Sequence, residues 1–278
     1  MTLLIRKEGL TMRKKLKLLV SVFVLLVIFF NFNFIKAKVY PIINEIGEII
    51  MLKKVDTFKT METEKLIIKY DTDENTAKLV AETLEDKYDS VAKDFNYISD
   101  EKKIIIIYED GEKLNENTNL RKGNPPMGVY VYNTVSVLSP NNWINDDDNL
   151  ETIFKEEGPM VHEFTHLIVD EIGRGNFPIW FTEGISLYME YDKNGYEWGS
   201  NLDMEDETIY NVKNLTENFY ELDEFKAYRK SFEYVKGFVD EYGFDKLNEI
   251  LIELGEGTSF DEAHKKVIGK DVEEIYVY

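Results

Sequence analysis

The sequence of 278 residues carries a formal net charge of −20 and contains no cysteine. Residues 1–36 hold seven basic side chains against one acidic side chain, so the remainder has a net charge of −26. Such an acidic surface disfavours nucleic acid and anionic lipid as partners, and the lack of cysteine excludes disulfides, which leaves a core or a bound metal to stabilise the fold.

The N-terminus combines a basic cluster with an apolar run. Residues 1–17 are typical of a basic cytoplasmic n-region, and residues 18–37 of a hydrophobic signal peptide or membrane anchor. The run Leu18–Phe30 is short for a transmembrane helix, which needs about 20 apolar residues. Cleavage after Ala37 and an uncleaved single-pass anchor both remain open. In either case the basic flank predicts that the following domain is extracellular, on the cell membrane or secreted.

Residues 38–60 are an amphipathic linker with apolar residues at helical spacing, either a stalk or a first helix that packs on the domain. The domain itself is predicted to span residues 61–278. Its first part alternates strand and helix: Lys65–Tyr70 is a strand, and Asp73–Phe95 is an amphipathic helix. The segment Lys103–Tyr108 contains four consecutive isoleucines, which indicates a strand buried on both faces.

The rest of the domain is mainly helical. Gly111–Gly128 is rich in turn residues, and the alternation in Gly128–Leu138 predicts one or two strands. Glu151–Ile172 is a helix with a break at Gly158-Pro159, and Ile179–Tyr191 is the next helix. From Leu215 to the end the pattern is helical, with breaks at Gly243, Gly255 and Gly269. The fold class is therefore α+β.

Two histidines one helical turn apart form the strongest chemical signal. The sequence at 162–166 is His-Glu-Phe-Thr-His, and on a helix both imidazoles share one face, about 6 Å apart along the axis. Zinc suits imidazole and carboxylate ligands. Glu163 is rotated away from the metal axis, where it can act as a general base on water. The alternative is a pair of surface histidines, but the apolar neighbours predict a buried helix, in which such a cluster without metal would be costly.

A tetrahedral zinc site needs a third protein ligand and one open position. Glu183 is the main candidate because it lies 17 residues after His166, which leaves room for a loop and a returning helix. Gly184 would let that returning helix pack closely beside the first. The competing carboxylates are Asp170, Glu171 and Glu190.

The 162–166 motif, followed by Trp-Phe-Thr-Glu-Gly at 180–184, resembles the gluzincin (thermolysin-like) zinc metallopeptidases, especially the small bacterial membrane-associated or secreted type. The likeness covers residues 62–278. It implies a thermolysin-like zincin domain with an N-terminal mixed sheet, an active-site helix and a mainly helical C-terminal half. It also implies hydrolysis of peptides or proteins outside the membrane, with Zn²⁺ held by His162, His166 and Glu183, and Glu163 as the general base.

The resemblance implies further roles. The 128–138 region would supply an edge strand that pairs with an extended substrate. Tyr228 is the candidate for stabilising the oxyanion, and Tyr234 is the reserve. Some relatives place an Asp one turn after the glutamate ligand to orient the first histidine. Leu187 stands there in this chain, so the group that orients His162 is unassigned.

Two other functional interpretations remain. One is a catalytically inactive peptide-binding protein on a peptidase scaffold, against which the retained Glu163 argues because only catalysis needs that carboxylate. The other is a membrane-tethered interaction module without metal. In both cases the membrane would be a partner only through an uncleaved N-terminal segment.

Two remaining sequence features are predicted to have no role in the site. His264 lies in the polar segment Asp261–Lys266 and is predicted to be a surface residue. The three aspartates at 146–148 are predicted to form a solvated loop rather than a calcium site, because no EF-hand spacing follows.

Overall fold

The computed structural model describes residues 14, 17, 21, 32–120, 123–146, 148–204 and 207–276. Most of the predicted n-region (1–17), most of the apolar segment (18–37) and Asp147 of the acidic loop lie outside the described residues. Among the described residues, none of the helices combines the length and the apolar character that crossing a membrane requires.

The described residues form an α+β arrangement. In chain order the elements are α1 (Phe32–Lys54), β1 (Lys59–Glu62), β2 (Leu66–Tyr70), α2 (Glu74–Asp94), β3 (Lys103–Tyr108), α3 (Gly111–Thr118), β4 (Gly128–Val131), β5 (Thr134–Leu138), α4 (Leu150–Glu157), α5 (Met160–Gly173), α6 (Ile179–Asn194), α7 (Val212–Asn218), α8 (Glu224–Tyr242), α9 (Phe244–Gly255), α10 (Phe260–Ile268) and α11 (Val272–Ile275). Short 3-10 turns cover Pro140–Asn142, Glu207–Tyr210 and Phe219–Glu221. The sequence patterns missed β1 and α3.

The five strands form one mixed sheet in the order β1-β2-β3-β5-β4. The three central strands β2, β3 and β5 are parallel, and β1 and β4 are added antiparallel at the two edges. The isoleucine run of β3 is buried because its residues alternate between two cores. Ile105 and Ile107 pack with α2 and α5, whereas Ile104 and Ile106 pack with side chains from α1 and α3. The active-site helix predicted from the sequence thus lies on one face of the sheet.

Helix α1 packs on the domain rather than standing away from it. Its buried residues are Ala37, Asn44, Gly47 and Met51. A Cβ atom at Gly47 would lie 2.3 Å from the ring of Tyr132, so the glycine permits the close approach. Of the two interpretations of residues 38–60, the structure therefore favours a first helix that packs on the domain over a stalk. Met51 belongs to the core cluster of Ile104 and Ile106 on one face of the sheet, and β1 already begins at Lys59.

Two glycines determine where α4 gives way to α5 and how closely α6 approaches its neighbour. At the predicted break, a Cβ atom on Gly158 would lie 2.2 Å from the carbonyl oxygen of Phe154, so the chain ends α4 there and begins α5 two residues later. In α6, a Cβ atom on Gly184 would lie 2.3 Å from the carbonyl oxygen of Ser231. The close neighbour of Gly184 is therefore α8, and not α5 as the sequence pattern suggested.

His264 is fully buried, so its prediction as a surface residue is wrong. Its Nδ1 lies 2.8 Å from the carbonyl oxygen of Phe260, which can only accept a hydrogen bond, and its Nε2 lies 2.8 Å from the hydroxyl of Tyr276. The Nδ1 atom therefore donates, and because burial favours the neutral form of the ring, its Nε2 accepts from the Tyr276 hydroxyl. The helix exposes the charged neighbours of His264 and turns the imidazole inward against the aromatic rings of Phe181 and Phe238.

This buried imidazole predicts acid sensitivity. Burial lowers the pKa of His264 to about 4, from an ordinary value near 6.5. Because the unfolded chain binds the proton more tightly, the stability contribution of this histidine is complete above pH 6.5 and is lost as the pH falls towards 4. Between pH 7 and pH 5, we expect the native chain to lose about 2 kcal/mol more unfolding free energy than His264→Leu. Urea unfolding of both proteins at the two pH values measures this difference, and equal losses would contradict it.

Candidate metal centre

Helices α5 and α6 bring three side chains to one point. The Nε2 atoms of His162 and His166 are 3.1 Å apart. The Oε2 atom of Glu183 lies 3.3 Å from each of them. The three side chains are only 13–14% exposed. Among the described residues, they are the group of histidine and acidic side chains with its ligand atoms close enough to hold one metal ion.

The size of this triangle fits a small divalent ion. Ligand atoms bound to zinc at about 2.0–2.2 Å in a tetrahedron lie about 3.3 Å from one another. The observed separations of 3.1, 3.3 and 3.3 Å match that spacing. Two imidazole nitrogens and one carboxylate oxygen are also the donor set that zinc prefers.

The charges around the triangle favour a cation. Glu163 and Glu190 are each 7% exposed, and with Glu183 they place three carboxylates beside two imidazoles. Burial acts to raise the pKa of Glu183, but His166 and His162 hold it below its usual range. Burial acts to lower the pKa of His162, but Glu190 and Glu183 raise it well above the ordinary value. With neutral imidazoles the cluster carries excess negative charge, which a divalent ion offsets.

Each histidine has a partner for its other ring nitrogen. The Nδ1 atom of His166 lies 2.7 Å from the hydroxyl of Thr182, and the Nδ1 atom of His162 lies 3.5 Å from Oε2 of Glu190. Such contacts fix the orientation of metal-binding imidazoles. From the sequence, Glu190 was only a competing candidate for the third metal ligand. Its position two helical turns after Glu183, on the same face of α6, is the signal that could have identified it as the partner of His162.

The contact of Glu190 predicts a measurable loss of metal affinity. Glu190→Gln keeps the shape of the side chain but removes the charge that holds His162 in place. We expect zinc affinity to fall about 10–100-fold. Competition with a coloured zinc chelator measures the affinity, and Glu217→Gln, at an exposed glutamate of α7, is the matched control. Equal affinities for the two variants would exclude this role for Glu190.

Glu163 lies outside the triangle and faces the edge strand. A Cβ atom on Gly128, the first residue of β4, would lie 2.8 Å from Cγ of Glu163. The backbone N–H of Tyr130 donates a hydrogen bond to the Glu163 carboxylate. Burial nevertheless raises the pKa of Glu163 above its ordinary value, while the two histidines oppose this. A carboxylate with a raised pKa takes up a proton more readily, as a general base must.

Tyr228, on α8, reaches the same site. Its hydroxyl is hydrogen-bonded to Glu183, and burial followed by the charge of Glu183 raises its pKa above the ordinary value. The phenol therefore stays protonated and can donate a hydrogen bond. The reserve candidate Tyr234 is 4% exposed and packs against the rings of Trp180 and Tyr276.

The remaining rival ligands lie elsewhere. Asp170 accepts hydrogen bonds from Asn44 at 2.7 Å and from the hydroxyl of Tyr130 at 2.6 Å. Glu171 pairs with Lys103 at 2.7 Å. Neither carboxylate belongs to the triangle.

The triangle opens into a groove with two lobes. One lobe, of 740 Å³, is lined by the edge strand β4 and by Tyr40, Ile43 and Asn44 of α1. The other lobe, of 490 Å³, has an aromatic lining that includes Trp143 and Trp198. His162, Glu163 and Tyr228 line both lobes, so a chain lying in the groove would pass the candidate metal position.

Comparison with known proteins gives one family match. The family model for the Peptidase MA superfamily matches residues 110–276, which is more than half of the chain. No curated protein matches the chain.

Proposed function

Since the chain belongs to the Peptidase MA superfamily, whose members are typically metal-dependent peptidases, we propose that it is a zinc peptidase of the gluzincin type. The observation that carries the proposal is the triangle of His162, His166 and Glu183, with ligand atoms 3.1–3.3 Å apart beside a buried Glu163. The reaction is hydrolysis of a peptide bond. We place it outside the membrane because of the basic cluster and apolar run that precede residue 38.

The side chains have separate tasks in this reaction. His162, His166 and Glu183 hold the ion, which when bound supplies Lewis acidity to a carbonyl group and to water. Glu163 takes the proton of the attacking water and passes it to the leaving amine, as its position outside the triangle and raised pKa allow. The protonated Tyr228 donates a hydrogen bond where negative charge develops on the carbonyl oxygen.

The edge strand gives the groove a means of aligning a peptide. Strand β4 pairs with β5 on one side only, so its other side is not paired within the sheet. The groove lobe beside it is lined by residues 128–132. An extended substrate can add to this edge through backbone hydrogen bonds, which align it without fixing its sequence.

A peptide-library digest tests this function. The purified full chain is incubated with the library as purified, after treatment with a chelator, and after zinc is added back. The proposal predicts cleavage that the chelator abolishes and zinc restores, with new termini identified by mass spectrometry. Bound zinc without any cleavage would instead support the inactive peptide-binding interpretation.

A further inference from the structure

Helix α1 exposes a continuous apolar stripe on its outer face. The stripe consists of Phe32, Ile35, Val39, Ile42, Ile43, Ile46, Ile49 and Ile50, each between 37% and 61% exposed. At 3.6 residues per turn these eight positions fall within about 120° of the helix circumference and extend for about 27 Å. An exposed apolar surface of this regularity marks an interaction site.

The orientation of the stripe is fixed by the contacts on the opposite face of α1. Asn44 donates to Asp170 at 2.7 Å, and Asn133 of the β4–β5 turn donates to Glu48 at 3.2 Å. Gly47 lies against the Tyr132 ring. The isoleucines therefore point away from the domain, and nothing among the described residues covers them.

The sequence before α1 indicates that a membrane lies close to the stripe. The apolar run Leu18–Phe30, which follows a cluster of lysines, leads directly into Phe32. Lys36, Lys38 and Lys54 lie about 80° to either side of the stripe. Two of them also contact the domain beside it: Lys38 pairs with Glu256 at 3.6 Å, and Lys54 donates a hydrogen bond to the backbone carbonyl of Asn117. An amphipathic helix flanked by lysines is typical of a membrane interface.

We propose that the apolar stripe of α1 docks on a lipid bilayer and holds the mouth of the catalytic groove at the membrane surface. The domain beyond residue 36 has a net charge of −26, so apolar insertion into zwitterionic lipid, rather than attraction to anionic headgroups, stabilises this contact.

The stripe and the groove meet at Ile43, which is 50% exposed and also lines the larger lobe. Its neighbour Asn44 lines the same lobe and binds Asp170 of the metal-binding helix. The mouth of the groove therefore adjoins the face that contacts lipid. On the basis of the proposed peptidase function, the substrates of this protein are extended peptide segments close to a membrane surface.

The lack of cysteine permits a site-specific test of the docking. Full chains carrying Ile46→Cys or Glu45→Cys are labelled with bimane and reconstituted, one chain per disc, in phosphatidylcholine nanodiscs. The two neighbouring positions differ by 100° around the helix. We expect brominated acyl chains to quench the label at position 46 at least about twofold more strongly than the label at position 45.

Two results would overturn the docking. One is equal quenching at positions 45 and 46. The other is an unquenched label at position 46 together with disulfide-linked pairs of the unlabelled Ile46→Cys chain in vesicles, which would assign the stripe to a second copy of the protein. Neither readout depends on peptide hydrolysis.

A second measurement tests the consequence for substrates. The variant Ile42→Asn/Ile46→Asn/Ile49→Asn changes only stripe residues that do not line the groove. We expect the variant to hydrolyse a soluble peptide at a rate within about twofold of the native rate. Its rate on the same peptide tethered to vesicles should fall about fivefold below the native rate. Equal changes for both peptides would contradict the membrane-proximal substrate. If the native chain cleaves neither peptide, the peptidase function fails, and the quenching result still decides the docking.

Discussion

Replacing Glu163 with glutamine is expected to lower kcat/KM for a cleaved peptide by about 10²–10⁴-fold. The amide has the shape of the carboxylate but cannot take a proton from water. Because Glu163 lies outside the triangle of ligand atoms, Glu163→Gln should retain its zinc. The measurement pairs steady-state kinetics with zinc content for the same preparation.

The control for this variant is Glu156→Gln, which changes an exposed glutamate of α4. Its kcat/KM should stay within about twofold of the native value, as expected of a surface substitution away from the site. A Glu163→Gln protein that holds zinc and cleaves peptide at the native rate would remove Glu163 from the mechanism. Loss of zinc together with activity would instead indicate that Glu163 supports the metal site.

Removing the negative charge of the third ligand, Glu183, should cause a large loss of zinc affinity. Structural zinc sites bind with about 10–16 kcal/mol, so one ligand of four accounts for roughly 3–4 kcal/mol, or about 10²–10³-fold in affinity. Glu183→Gln is expected to weaken zinc binding by that factor, because a neutral amide is a poorer ligand than a carboxylate. Peptide hydrolysis at limiting zinc should fall with it.

Thermal unfolding provides an independent readout for Glu183→Gln. A ligand that binds only the folded state raises its stability according to its concentration and affinity. Zinc should therefore raise the Tm of the native chain and leave the Tm of Glu183→Gln nearly unchanged at the same low concentration. An equal rise for both proteins would show that Glu183 does not bind the metal.

Features set by local sequence were predictable. The break between α4 and α5 follows from a Gly-Pro pair, and the histidine spacing alone places both imidazoles of 162–166 on one helix face. The isoleucine run of β3 likewise indicates a strand that is covered on both faces. Its spacing from His166 made Glu183 the main of several candidate third ligands, the resemblance to gluzincins supported it, and the structure brings this side chain to the two imidazoles.

Features that depend on distant contacts were not predictable. Polar neighbours suggested an exposed His264, but its environment is set by rings such as Phe181 and Phe238, which are far away in the sequence. Residues 38–60 have a helical pattern whether or not the helix packs, and contacts with distant residues, such as that of Asn44 with Asp170, show that it does. The same holds for Glu190, whose contact with His162 requires α5 and α6 to cross at the observed position.

The zinc content of the purified full chain, measured by elemental analysis beside that of His162→Ala/His166→Ala, tests the metal centre most directly. We predict about one zinc per native chain and almost none in the variant, because the two imidazoles supply two of the three protein ligands. A native chain that holds no zinc when zinc is supplied, or a variant that holds as much as the native chain, would contradict the assignment of this site.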